Sequence, residues 1–294
     1  MGVLTGKVSL RAFAKVNYAL EVRGLRDDGY HEISSVLQSI SLADEVEIER
    51  SYGGFELRLE PEETEVGPLE QNTVCKAWRL LCGLAGAELP VRVRLRKNIP
   101  AGAGLGGGSA DAAATLVGLN ELFGLGLSAE ELCGVGAKIG ADVPFALAGG
   151  TVLAEGLGEI LSPLPTPPAH RFLIAKPERG ADTGGIYRAY DERPVKGTPC
   201  ADPVVAALRS GSLAELAGAV GNDLEPVTSE LVPEVGAYKR EMLRVGALGA
   251  AMTGTGTAVY GLFDADDETG TAEASLRAPF VGACKPVGAG VVML

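Results

Sequence analysis

Apolar and polar residues alternate most cleanly over Val91–Arg96, VRVRLR, which predicts a strand with one face buried. Looser alternation over Val8–Leu20 and over Phe55–Leu59 predicts two more. Between Val36 and Ile48 the run LQSISL, then Asp44, then EVEIE reads as two strands joined by a turn. The period changes over Asn72–Leu84, where Val74, Ala77, Trp78, Leu81 and Leu84 recur at helical spacing behind Asn72 as N-cap. A helix from Ser109 to Phe123 would place Ala113, Leu116, Val117, Asn120 and Phe123 on one face, and Ser128–Glu131 fits a capping box for a helix stopped near Ile139 by Gly140. Short strands at Thr151–Ala154, Phe172–Ala175 and Ala258–Phe263, and helices over Ser212–Val220 and Pro233–Val245, complete the pattern. Strands and helices mix without strict βαβ alternation, so the fold class is α+β. The proline cluster SPLPTPP at residues 162–168 marks a junction, giving one domain over 1–161 and a second over 162–294.

Composition narrows the partners. With 46% hydrophobic residues the chain can build a real core, and a net charge of −12 argues against nucleic acid or an anionic membrane surface as a partner. The acidic stretches PEETE (61–65) and DADDE (264–268) read as solvated loops. Apolar runs are broken by glycine and charge, and the N-terminus lacks a signal pattern, so a cytoplasmic protein is expected. The five cysteines form no C-x-x-C and the only histidines are His31 and His170, which disfavours a zinc site; no permanently bound cofactor is predicted. No G-x-S-x-G elbow supports a serine nucleophile. Monomer and homodimer are both compatible with the chain.

The candidate chemistry centres on Asn98–Ala114, NIPAGAGLGGGSADAAA. Glycines at 102, 104, 106, 107 and 108 let backbone N–H groups crowd inward, and a helix beginning at Ser109 would add its own free N–H groups and dipole, so the segment predicts a phosphate cradle. It is not a Walker A loop, because Gly108 runs into Ser109 without a lysine. Gly102-Ala-Gly104-Leu-Gly106-Gly107 satisfies G-x-G-x-x-G, but Lys97–Pro100 separates it from the strand and no second strand follows promptly, against a dinucleotide fold. Apolar periodic segments on both sides argue against a linker. Read without further context, Asp142 is a helix-start residue before Pro144 and Lys15 an outward lysine on a strand.

Four segments in order resemble the GHMP kinases, the superfamily of galactokinase, homoserine kinase and mevalonate kinase. They are Ala14-Lys-Val-Asn17, the glycine loop, Gly140-Ala-Asp-Val-Pro144 and Thr253-Gly-Thr-Gly256. Residues 14–48 with Gly29-Tyr-His-Glu32, residues 140–161, and Asn222-Asp-Leu-Glu-Pro226 are similar to the branch that phosphorylates a CDP-linked methylerythritol on its 2-hydroxyl. The resemblance runs from about Ser9 to about Phe263. It implies a ribosomal-S5-like N-terminal domain, a smaller α+β C-terminal domain and an active site between them. It implies Asp142 as catalytic base with Lys15 as its partner, a division of labour that suits an alcohol acceptor. ATP would contact Pro100, Gly102, Gly104, Leu105, Gly106, Gly107, Gly108, Ser109 and Ala110, with Mg²⁺ arriving on the nucleotide and Ser109 as a candidate contact to it. The substrate would meet Asn17, Tyr30, His31, Thr183 and Tyr187, the aromatic rings stacking on cytosine. Thr253, Gly254, Thr255 and Gly256 would support the phosphates; the usual motif there is Ser-Gly-Ser-Gly-Pro, and Thr257 in place of proline predicts a freer loop. A non-catalytic nucleotide- or RNA-binding module is the alternative of another class, and the acidic charge and the Lys15/Asp142 pair count against it.

Overall fold

The computed structural model describes residues 6–62, 68–193, 200–267 and 269–294. Residues 63–65 of the first acidic stretch and Glu268 of the second lie outside the described residues. A long antiparallel pair, β1 (Lys7–Leu25) and β2 (His31–Arg50), forms the spine of the first sheet. It is followed by β3 (Phe55–Glu60), α1 (Thr73–Ala85) and β4 (Val91–Arg96), then α2 (Gly107–Phe123), α3 (Ala129–Gly136) and α4 (Val143–Ala148), then β5 (Thr151–Gly156) and β6 (Ile160–Pro163). The rest comprises β7 (His170–Lys176), α5 (Thr183–Glu192), α6 (Ala201–Ser210), α7 (Leu213–Ala219), β8 (Gly221–Asn222), α8 (Glu225–Leu231) and α9 (Glu234–Arg244), then β9 (Gly249–Met252), β10 (Val259–Asp264), α10 (Gly270–Ser275), β11 (Phe280–Cys284) and β12 (Val291–Met293). Among the described residues the first sheet has eight strands, β12-β1-β2-β4-β3 with β5, β6 and β8 attached, and the second has four, β11-β7-β10-β9. The first sheet thus draws β8 and β12 from beyond the proline cluster. Among the described residues no helix is long and apolar enough to cross a membrane.

In β4 the expected alternation holds, with Val91, Val93 and Leu95 buried and Arg92, Arg94 and Arg96 exposed. Asn72 caps α1 by accepting from Val74 N at 2.9 Å, and Ser128 and Glu131 close their capping box. Helix α3 ends at Gly136, short of Ile139, because Lys138 N and Ile139 N turn to i−3 carbonyls and wind the last residues as a tighter turn.

Two expectations are corrected. The segment around Asp44 is not two strands with a turn but one strand, since the Asp44 carboxylate finds partners without one. Its Oδ1 accepts from Asn98 N at 2.6 Å and Ile99 N at 2.8 Å, and its Oδ2 binds Lys97 Nζ. The irregularity that does occur falls at residues 40–42, where the register jumps from Phe13↔Ala43 to Lys15↔Ser39. Helix α2 begins at Gly107 rather than Ser109, with Gly106 as N-cap, and it buries Ala110 through Leu116, Gly118 and Leu119 instead of a single stripe. Small side chains all round let it lie inside the domain, between the sheet and α1, α3 and α4.

Beneath the N-terminus of α2, Lys97 bridges two buried carboxylates, Asp44 and, at 2.7 Å, Asp111. Burial opposes the charge on Lys97, but Asp111 and Asp44 outweigh it and hold the ammonium above its ordinary pKa. Burial pushes the Asp111 carboxyl up to about 8, with Lys97 pulling the other way and Asp44 adding to the rise; its Oδ1 has no partner.

Two outcomes test this framework. The native Asp111 keeps a proton that the unfolded chain releases near its ordinary 3.8, so the native state binds more protons between there and about 8, and this contribution to stability falls as pH rises. The melting temperature of Asp111→Asn should therefore gain on wild type steadily from about pH 5 to about pH 8; a constant offset in buffered thermal scans would rule this out. At Gly149, φ is +69° and a Cβ would lie 2.0 Å from Gly290 N. Gly149→Ala should cost more than about 2 kcal/mol in urea denaturation, whereas Gly134→Ala, exposed in α3 with open space around it, should gain about 0.5 kcal/mol.

Candidate active site

The glycine loop is the common wall of two cavities of about 380 Å³ each. Gly102, Gly104, Gly106 and Ser109 line both. On one side the wall faces Gln71, Asn72, Thr73, Lys97 and Ile99; on the other it faces Lys15, Asn17, Asp142, Thr183, Tyr187 and the 254–256 turn. A wider cavity of about 630 Å³ lies away from the loop around Pro168, His170 and Pro286. Both His170 nitrogens are engaged there, by Pro168 O at 2.7 Å and Tyr18 Oη at 3.0 Å, so it offers no free base.

Two of the glycines are required by close approach. A Cβ on Gly104 (φ +75°) would sit 2.1 Å from Thr253 O, so only glycine lets the C-terminal turn rest on the loop. A Cβ on Gly106 (φ +73°) would sit 2.9 Å from Lys15 Cγ, so glycine here makes room for the lysine stem. The helix that follows leaves the N–H groups of Gly107, Gly108 and Ser109 without intrahelical acceptors, the first i→i−4 bond being Ala110 N to Gly106 O at 2.9 Å. Pro100 and Leu105 line the outer cavity, and Ala110 is buried in the first turn of α2.

Lys15 is not an outward lysine. The register break after Phe13 turns it inward, its N–H donates to Leu105 O at 2.9 Å, and its side chain is only 7% exposed. The ammonium donates to Asn17 Oδ1 at 2.8 Å and stands 3.7 Å from Asp142 Oδ2. Asp142 is the N-cap of α4, with Pro144 in the first turn, yet its carboxylate makes no capping bond; it is 40% exposed and turned to the cavity. A buried cation thus faces an accessible carboxylate, an arrangement able to accept a proton from an alcohol and steady the charge that develops.

Asn17 lines the same cavity, but its side chain is engaged by the protein. Oδ1 also accepts from Thr253 Oγ1 at 3.0 Å and Gly254 N at 2.8 Å, and Nδ2 donates to Ser35 Oγ at 2.8 Å. Thr183 opens α5 and meets Thr255 Oγ1 at 3.1 Å. Thr257, where a freer loop is expected, is fully buried and its hydroxyl donates to Arg179 O at 2.7 Å, a tether in place of the proline ring.

Tyr187 is half-buried and lines the cavity. Burial, then the Asp142 charge, pushes its hydroxyl up to about 12, so it stays a neutral ring. His31 stacks on it with centroids 4.8 Å apart and planes at 22°. Tyr30 closes the turn, its O accepting from Arg26 N at 2.8 Å, and stands 64% exposed, outside both cavities.

The sequence reading missed Asp44, Lys97 and Asp111, the partners under the loop, and Thr73, which donates to Gly108 O at 2.6 Å. A signal existed for one of them: Asp111 is a lone charge inside an alanine-rich apolar helix, and such a charge requires a partner.

Residues 72–150 match the GHMP kinases N terminal domain and residues 204–282 the GHMP kinases C terminal domain. The chain is 43% identical to the 4-diphosphocytidyl-2-C-methyl-D-erythritol kinase of Thermoanaerobacter pseudethanolicus over 88% of each protein. It is 39% identical to that of Caldanaerobacter subterraneus subsp. tengcongensis, over 98% of this chain and all of the other. A crystal structure of 4-(cytidine 5'-diphospho)-2C-methyl-D-erythritol kinase superposes with a TM-score of 0.81 at 33% identity, covering 95% of this chain and 99% of the other. Homoserine kinase from Cytophaga hutchinsonii, at 20% identity, covers all of this chain and 99% of its own with a TM-score of 0.79, a likeness of fold alone. With the glycine loop, the inward lysine and the accessible aspartate arranged as described, this places the chain in the GHMP kinase superfamily, and within it the chain belongs to the family of 4-diphosphocytidyl-2-C-methyl-D-erythritol kinases.

Proposed function

We infer that the chain transfers the γ-phosphoryl group of ATP to the 2-hydroxyl of 4-diphosphocytidyl-2-C-methyl-D-erythritol, the phosphorylation that this family contributes to the methylerythritol phosphate route to isoprenoid precursors. The observation that carries this reading is the Lys15–Asp142 pair, 3.7 Å apart on one side of a glycine wall whose other side is a second cavity. ATP enters from the Asn72/Lys97 side with its phosphates over the N-terminus of α2, and the acceptor lies on the Lys15/Tyr187 side. The cleft in this reading is formed between a domain of residues 1–161 and one of residues 162–294.

The acceptor oxygen bonds to the γ-phosphorus as the bond to the β,γ-bridging oxygen breaks; ADP leaves and the hydroxyl proton passes to Asp142. Lys15 holds a positive charge beside the forming bond, and Asn17 fixes its direction. Mg²⁺ would enter as part of the nucleotide substrate, with Ser109, which lines both cavities, as a candidate donor to it. His31, Tyr187 and the exposed Tyr30 serve the cytosine, and the 253–256 turn presents backbone to the phosphates.

ADP release from Mg-ATP with the cytidyl acceptor, beside homoserine and mevalonate, tests the reading. Turnover is expected with the cytidyl acceptor alone, and Asp142→Asn should lower kcat by about 100- to 10,000-fold with little change in the KM for ATP. Turnover on homoserine or mevalonate instead would overturn the acceptor, and an Asp142→Asn enzyme within a fewfold of wild type would overturn the base.

A further inference from the structure

His31 makes a second contact that the reading above does not use. Its Nε2 lies 2.7 Å from Asp191 Oδ1 on α5, across 160 residues of sequence. The imidazole side chain is 8% exposed while the carboxylate is 45% exposed, so a solvated anion reaches in to meet a sheltered ring. Tyr187 lies flat against the ring and Tyr190 presents its edge at 6.4 Å and 84°. Three successive features of α5, at 187, 190 and 191, thus enclose one imidazole projecting from the start of β2.

A neutral imidazole carries one N–H donor and one lone pair, and a hydrogen bond at one nitrogen decides the role of the other. A carboxylate only accepts, so Asp191 draws the proton to Nε2 and leaves Nδ1 with a lone pair. Ile33, two residues along β2 from His31, and Tyr187 both line the acceptor cavity, so the ring stands at its margin. For a pyrimidine that turns the edge bearing its 4-substituent toward Nδ1, that substituent decides the match. The 4-amino group of cytosine donates to that lone pair. The 4-carbonyl of uracil would set lone pair against lone pair, a mismatch that leaves a polar atom unpaired.

We propose that Asp191 is a positioning residue that fixes the tautomer of His31 and so selects cytosine over uracil in the nucleotide portion of the acceptor. This rests on the cytidyl reading of the site and deepens it. Asp191 touches no reacting atom. Asparagine at 191 can turn either its oxygen or its amide nitrogen toward His31, so the tautomer is no longer dictated; glutamate keeps the carboxylate.

The test uses the full chain and competition by CMP and by UMP against the cytidyl acceptor, measured for wild type, Asp191→Asn and Asp191→Glu. Wild type should favour CMP over UMP, and Asp191→Asn should reduce that ratio by about tenfold, with the loss appearing in the KM for the acceptor rather than in kcat and with the KM for ATP unmoved. Asp191→Glu should recover part of the ratio, which a merely structural role on the surface of α5 would not produce. An Asp191→Asn enzyme that keeps the wild-type CMP/UMP ratio overturns the proposal while leaving the cytidyl reading standing. Failure of CMP to compete with the wild-type enzyme would instead remove the cytidyl reading, and the proposal with it.

Discussion

The arrangement of the site depends on one side-chain amide. Asn17 Oδ1 receives the Lys15 ammonium, the Thr253 hydroxyl and the Gly254 N–H, while its Nδ2 holds Ser35 on β2. The backbone at the same position is tied as well, with Asn17 N donating to Thr253 Oγ1 at 3.1 Å and Tyr260 Oη donating to Asn17 O at 2.8 Å. A buried polar network of this kind is favourable only when every member is satisfied. Contacts that help seat the second sheet on the first are therefore also contacts that aim the lysine. Gly104 completes the joint, since its lack of a side chain lets Thr253 come within reach of the loop.

The fold was legible where the reason for an element is local. The strict alternation of β4, the Asn72 cap and the Ser128 capping box each follow from neighbours within a few residues. Elements decided at long range were not legible. Asp44 looks like a turn residue until Lys97, Asn98 and Ile99, more than fifty residues away, supply its partners. The early start of α2 follows from Gly106, whose left-handed backbone caps the helix before Ser109 can.

The site divides in the same way. The glycine loop, Lys15 and Asp142 could be named from motifs, but motifs do not say why each glycine is needed. Gly104 answers to a backbone oxygen of a turn some 150 residues later and Gly106 to a lysine stem. Asp191 escaped notice because an exposed acidic residue on a helix is ordinarily solvated surface. Only the three-dimensional fold brings it against an imidazole. A shared fold does not by itself set specificity, which depends on particular side chains.

The last strand has a consequence for how the molecule comes into being. β12 pairs with β1 at Leu10↔Met293, Arg11↔Val292 and Ala12↔Val291, and Phe13 N reaches Gly290 O at 2.9 Å. During synthesis the edge of β1 at residues 10–12 therefore stands open until residues 291–293 have been made, offering unpaired N–H and C=O groups to any strand nearby. Closure over so long a separation in sequence is slow relative to local helix formation. The nascent chain carries this stretch of edge as a hazard of mispairing, and β12 removes it.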